Sequence, residues 1–549
     1  MDKLCIPLFL AFLIIAIFSC QETPKTSIQP WLPYDESEML TDVADHEVAR
    51  MQLKLVQSKV QDKNDIWDAI RDDIAYFGEE DYKRLEPLIY EQDILEIQKA
   101  IEEKKLSYEE LTQWYIYRIV KLENDSSRTL HTIVALNRDA VEQAKERDRN
   151  RSADQHPIYG MPILLKDNIN TEGMRTTAGA LALQNNETGD ATIVSNLKKN
   201  GAIILGKVNL SEWAYFFCGG CPVGYSAIGG QTLNPYGRGV FETGGSSAGS
   251  GTSMAANYAA AAVGTETSGS ILSPSGKNSL VGLKPSIGLL SRSGIVPISS
   301  TLDTPGPMTR SVSDNVILLS AMAGADPDDI ATAGFNRDID FLADYKSGSL
   351  SGKRFGVIKR FLQDSIYALT TEKIEKAGAT LVVYDAPEVS LDGFGTLLSA
   401  DMKKDLPHYL STYAGNDVGV KSVQDVIDYN LMDSLIRAPY GQVRLVGSAQ
   451  DTLTDEALTL LVERLNKEGR RYFDEPMAEH QLDAVLSMNN WSAGFAAAAK
   501  YPCLTIPMGY SEEGQPTNLT FIGKSQSEAY LYQLGYAFEQ LTKVRKPPF

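Results

Sequence analysis

The sequence predicts an α/β fold, a large β-sheet flanked by helices on both faces, with a helical extension at the N-terminus. Three observations predict it. Short apolar runs bounded by Gly and Pro, such as Met161 to Leu165 and Ala202 to Leu205, read as buried strands. Helical stretches separate them, Ala191 to Asn200 and Thr252 to Val263. The alternation then resumes, with Arg354 to Ile358 and Ala379 to Tyr384 as strands around a helix, a mostly helical region from Thr396 to Glu475, and strands at Ala484 to Ser487 and Leu504 to Pro507.

Ahead of that body the chain changes character twice. Lys3 precedes the almost wholly apolar run Ile6 to Phe18, which ends at Ser19 and Cys20. Thirteen residues fall short of the roughly 20 that a spanning helix needs, and polar Gln21, Glu22 and Thr23 follow at once. Residues 1–20 therefore read as an export signal. The signal is similar to that of a bacterial lipoprotein, in which Cys20 becomes the lipidated N-terminus and the only membrane attachment. Ordinary secretion is the simpler alternative, and both place the protein outside the cytoplasm. Residues 21 to about 33 are polar, with Pro24, Pro30 and Pro33, and suit a tether. Glu36 to Tyr82 is helical and highly charged. Ile94 to Leu122 reads as a helix pair turning between Lys104 and Ser107, and Ser107-Tyr-Glu-Glu110 fits a capping box for its second helix.

Composition bounds the function. The 549 residues are 43% apolar and 22% charged, as expected of a packed globular protein. A formal net charge of −19 excludes nucleic acid as an expected partner, because phosphate binding needs concentrated Lys and Arg. Outside the signal only Cys218, Cys221 and Cys503 remain, too few for a disulfide framework in a chain this long. Cys218 and Cys221 have the spacing of a redox pair or half a zinc site, but no second ligand pair accompanies them, which leaves a local disulfide or two free thiols.

The chemistry concentrates in two Gly/Ser loops flanking a small-residue helix, Gly244-Gly-Ser-Ser-Ala-Gly-Ser250 and Gly264-Thr-Glu-Thr-Ser-Gly-Ser270. Such loops turn sharply and can aim backbone N–H groups at an oxyanion. Either loop alone is as compatible with a turn. Gly245-Ser-Ser247-Ala-Gly249 also satisfies the nucleophile-elbow pattern, which would make Ser247 the nucleophile and require a later histidine. Only His408 and His480 follow, both in charged, helical surroundings, and no apolar strand precedes the loop. A serine nucleophile needs a base. Lys166 ends the run Met161 to Leu165, and burial at a strand end would lower its pKa; an ordinary ion pair with Asp167 is the simpler reading of that position.

These pieces, in this order, resemble the amidase signature family. Lys166-Asp167, Ser246, and Ser270 placed 24 residues later match its Ser-Ser-Lys triad. The resemblance extends over roughly 94–330, including Gly206-Lys-Val-Asn-Leu-Ser-Glu212, Gly282-Leu-Lys-Pro-Ser286 and Asp303-Thr-Pro-Gly-Pro-Met-Thr-Arg310, and more weakly over 480–510. It implies a large mixed sheet and one amidase domain over 86–549, preceded by the tether and extension over 21–85. It also implies hydrolysis of a carboxamide C–N bond through an acyl-enzyme. Neutral Lys166 would take a proton from Ser246, which takes one from the nucleophile Ser270. The N–H groups of Thr267, Ser268, Gly269 and Ser270 would form the oxyanion hole, and the Gly245–Ser246 peptide would be cis. Neither a metal nor another cofactor is implied.

Two positions depart from the family pattern. Ser268 stands where many members have Gly, which keeps the N–H donor. Ile271 and Leu272 follow the nucleophile where many members carry an Arg, so small acidic substrates are not expected. Gly264 to Ser286 and Asn209 to Trp213 look most like bacterial peptide amidases, which implies a peptide amide or another small amide as substrate. A general aliphatic or aryl amidase and a fatty-acid amidase share the triad. A glutamyl-tRNA amidotransferase subunit shares it too, but the export signal counts against that cytoplasmic role. From another class, a surface-binding lipoprotein on a decayed amidase fold would be expected to have lost its catalytic residues first.

Overall fold

The computed structural model describes residues 25–26, 28–152, 154–335 and 339–549. The expected signal over 1–20, with Cys20, lies outside the described residues. Among the described residues thirteen strands are formed. They are β1 (Ile133–Leu136), β2 (Pro162–Lys166), β3 (Ile203–Val208), β4 (Tyr225–Ser226), β5 (Gly230–Gln231), β6 (Ala261–Glu266) and β7 (Val281–Lys284), followed by β8 (Thr304–Thr309), β9 (Arg354–Ile358), β10 (Thr380–Tyr384), β11 (Ala484–Met488), β12 (Cys503–Tyr510) and β13 (Pro516–Ile522). Strands β4 and β5 make a short ribbon, and the other eleven form one sheet in the order β1-β3-β2-β6-β8-β7-β12-β13-β11-β9-β10. The sheet is mixed: β2 runs parallel to β3 and β6, and β9 runs parallel to β10 and β11. Antiparallel β8, β7, β12 and β13 join these two parallel blocks.

The apolar runs legible in the sequence become the buried strands. Every residue of β2, β3 and β6 is buried, as helices on both faces require. The helix pair forms as expected, Ile94–Glu102 and Tyr108–Glu123, with Ser107 and Glu110 closing the capping box. The expected helix Thr252 to Val263 is a correction. The helix runs Ala248–Ala255, Asn257 turns the chain at φ 58, and Ala261–Glu266 is strand β6. A run of alanines carries neither a helical nor an alternating period, so it could not mark the break.

The segment before the sheet does not stand apart. Ile28 and Trp31 are buried, the Trp31 N–H donates to Asn64 Oδ1 at 2.7 Å, and Trp67, Ile70 and Ile74 join the same apolar cluster as the sheet. Helices Ser37–Val43, Lys63–Asp68 and Glu79–Ile89 lie in this stretch. A second apolar cluster forms from the helical region, chiefly Phe394–Thr412, Val423–Leu431 and Val443–Gln450, against Trp213, Phe216 and Phe217. Cys218 and Cys221 are joined in a disulfide.

Candidate active site

Strands β3, β2 and β6 are parallel neighbours, so their C-terminal ends meet on one edge of the sheet, where open α/β sheets place their sites. Lys166 is the last residue of β2, and Thr265 and Glu266 end β6. The Lys166 ammonium is fully buried and donates to Ser246 Oγ at 2.7 Å, Thr265 Oγ1 at 2.8 Å and Thr265 O at 3.1 Å. Burial pulls its pKa far below the usual lysine range, to about 7, against the opposing charges of Asp303 and Glu266.

Asp167 is not its partner. Asp167 forms an ion pair with Lys207 at 3.1 Å and accepts from the Thr177 N–H and hydroxyl. Lys207 also donates to Ile169 O and Thr176 Oγ1, both at 2.8 Å. The register explains this sorting. Lys166 and Asp167 are consecutive in an extended segment, and β2–β3 pairing sets Leu165 beside Lys207 and Lys166 beside Val208. Neighbouring side chains on a strand point to opposite faces, so Lys207 and Lys166 are separated.

Ser246 is set by close backbone contacts. The Gly245–Ser246 peptide is cis, as the resemblance implied. The Ser246 carbonyl accepts from the Ser211 N–H at 3.0 Å, and the Gly249 N–H donates to Asn209 O at 2.9 Å. The helix Ala248–Ala255 can come this close because it is built from small residues: a Cβ on Gly249 would lie 2.4 Å from Asn209 O. Ser247 is fully buried. Its hydroxyl donates to Thr265 O at 3.0 Å, and its N–H donates to Ser270 O at 3.2 Å. Among the described residues no strand leads directly into it and no histidine hydrogen-bonds to it, which does not fit a nucleophile elbow.

Ser270 stands half-buried at the end of the loop that leaves β6. Among the described residues its hydroxyl shares no hydrogen bond with Ser246; the bond from the Ser247 N–H holds the two loops together. Glu266 caps the following turn, accepting from the Ile271 N–H at 2.7 Å and the Leu272 N–H at 3.0 Å, and also from the Gly269 N–H. The N–H groups of Thr267, Ser268 and Ser270 donate to no acceptor among the described residues, whereas that of Gly269 is turned toward Glu266. The open donors fit an anion-binding loop.

Three residues that sequence reasoning did not single out shape this centre. Thr265 takes two of the three Lys166 bonds, Asn168 Nδ2 supports Thr265 Oγ1 at 3.0 Å, and Asp303 fixes Thr267 through a 2.5 Å bond from its hydroxyl. Thr265 and Asp303 lay inside quoted motifs, but only the strand register shows what they face. Beside them opens a cavity of about 210 Å³ whose walls include Thr265, Thr267 and His408. His408 is an exposed residue there, and His480 closes the helix Asp455–His480.

A buried lysine thus contacts one serine, and a second serine ends a loop with open N–H groups; these are the groups that a serine nucleophile with a lysine base would need. The family model for amidases matches residues 110–488. A probable amidase of Arabidopsis thaliana is 36% identical over 479 residues, 84% of this chain and 92% of that protein. Among solved structures, an amidase family protein from Bacillus anthracis is 36% identical with a TM-score of 0.85, covering 90% of this chain and all of that one. The peptide amidase of Stenotrophomonas maltophilia is 37% identical with a TM-score of 0.79, covering 84% of this chain and 99% of that one. The chain belongs to the amidase family, and its chemistry is amide hydrolysis.

Proposed function

We propose that the protein hydrolyses primary carboxamides, with C-terminal peptide amides as the leading substrate class, through an acyl-enzyme on Ser270. The carrying observation is the 2.7 Å contact between Lys166 Nζ and Ser246 Oγ, at a lysine that burial brings down to about 7. A neutral amine there is a competent base near neutral pH. In the first step Ser270 Oγ bonds to the carbonyl carbon, its proton passes to Ser246 Oγ, and the Ser246 proton passes to Lys166 Nζ. The tetrahedral oxyanion lies toward the open N–H groups of Thr267, Ser268 and Ser270. The C–N bond then breaks, the proton returns through Ser246 to the leaving nitrogen, and ammonia departs. Water attacks the ester by the same relay and releases the acid and Ser270. The relay needs a Ser246–Ser270 bond that forms as substrate closes the site, a tightening usual for catalytic hydrogen bonds.

The similarity to a peptide amidase supports the substrate class, and Ile271 and Leu272 after the nucleophile speak against small acidic amides. Export is part of the proposal: residues 1–20 read as a signal, and the joined Cys218–Cys221 pair suits an oxidising compartment. Ammonia release from a panel of peptide amides tests the activity. Release by the native protein and its loss in Ser270→Ala are expected, and no release from any amide overturns the reading.

A further inference from the structure

The 210 Å³ cavity beside the site carries an acceptor-rich wall. Asp328 is exposed at its edge and has no ion pair among the described residues, while Asp405 is half-buried, its carboxylate taking the Ser300 N–H at 2.5 Å. The one arginine of the wall, Arg292, is already held by Asp329 through bonds of 2.6 and 2.8 Å, which leaves the acids in excess. A second, independent feature points the same way. Asn168 is 2% exposed and lines the cavity; its Nδ2 is spent on Thr265 Oγ1 and Val296 O, and its Oδ1 has no donor. A buried acceptor without a protein donor is open to an N–H or O–H donor from a ligand or from water.

We propose that this cavity receives a cationic group on the acyl part of the substrate, an α-ammonium or the ammonium or guanidinium of a basic side chain. The inference rests on the amidase reading above. When the leaving group is ammonia, everything else in the substrate belongs to the acyl part, so only that part can fill a cavity walled by Thr265 and Thr267. Burial, with the neighbouring charges of Asp401 and Asp303, pushes Asp405 up to about 7 against the bond it accepts from the Ser300 N–H. A cation beside it would favour its charged form.

The test compares kcat/KM for acetyl-lysinamide, norleucinamide and acetyl-norleucinamide, which carry a side-chain cation, an α-ammonium and no cation. At least one cationic amide is expected to exceed the neutral one by about tenfold or more. That ratio should fall toward one in Asp328→Asn, an exposed site where folding is not at stake, and in Asp405→Asn. Turnover of all three amides without preference overturns the inference and leaves the amidase reading standing. A preference that survives both substitutions overturns its assignment to this cavity, and no turnover of any amide removes the reading on which it rests.

Discussion

Asp167 forms its ion pair with Lys207, 3.1 Å away, and among the described residues leaves its chain neighbour Lys166 with no carboxylate in hydrogen-bond contact. Two buried lysines thus flank one acid, Lys166 beside it in the chain and Lys207 beside it across the paired strands, and the acid goes to the one that does not touch serine. Among the described residues Lys166 hydrogen-bonds only to hydroxyl and carbonyl oxygens; these and the charges of Asp303 and Glu266 do not offset its desolvation, and its proton is held loosely.

The first consequence is a pH dependence. Lys166 must be neutral to accept a proton, so kcat/KM should rise with pH along a limb centred at about 7; a lysine of ordinary pKa would place that limb near ~10. Lys166→Arg, charged throughout, should show no activity at any pH. The same shift acts on stability. The folded pKa is depressed, so above about 7 the unfolded chain holds a proton that the folded one has lost, and this group's contribution to stability grows as pH rises toward the unfolded lysine value. A pH series of rates and denaturation midpoints checks both signs.

Lys207→Met should cost more stability than Lys166→Met. Removing Lys207 strands the buried Asp167 carboxylate, a loss of about 3 kcal/mol or more, whereas removing Lys166 strands only the acceptors on Ser246 and Thr265. Denaturant unfolding of the two variants against the native protein checks the order. An equal loss would contradict the sorting of the two lysines.

Gly249→Ala should unfold or severely destabilise the protein. The added Cβ would sit 2.4 Å from Asn209 O and 2.6 Å from Asn209 N, both backbone atoms that cannot swing aside. Overpacking of this kind typically costs ~1–3 kcal/mol, and a clash with backbone falls at the upper end. Gly173→Ala is a contrasting control, since a Cβ there meets nothing within 4 Å, leaving only the φ of 86 to resist it. Thermal melts of the pair read the difference.

What the sequence made legible follows period and motif. Arg354 to Ile358 and Ala484 to Ser487 read as strands from their apolar runs, and the strands Arg354–Ile358 and Ala484–Met488 form there. Strand β8 gave no such signal, since Pro305, Gly306 and Pro307 argue against a central strand. Pro305 and Pro307 stand in register with Thr265 and Val263 of β6, whereas β8 pairs with β7 only at Met308 and Thr309, past the prolines, and Asn315 Nδ2 donates to the Pro307 carbonyl at 3.2 Å. In the site, Lys166, Ser246 and Ser270 came from motif and spacing. Thr265 as the acceptor of Lys166, and Lys207 as the partner of Asp167, depend on which strands lie side by side, and one-dimensional order does not carry that.

The central claim is that Ser270 is the nucleophile of the relay, and the most direct test is mass-spectrometric mapping of a fluorophosphonate adduct on the folded protein. A single adduct on Ser270 is expected, absent in Ser270→Ala and strongly suppressed in Lys166→Ala. An adduct on Ser247, or one on Ser270 that forms as fast without Lys166, would contradict it.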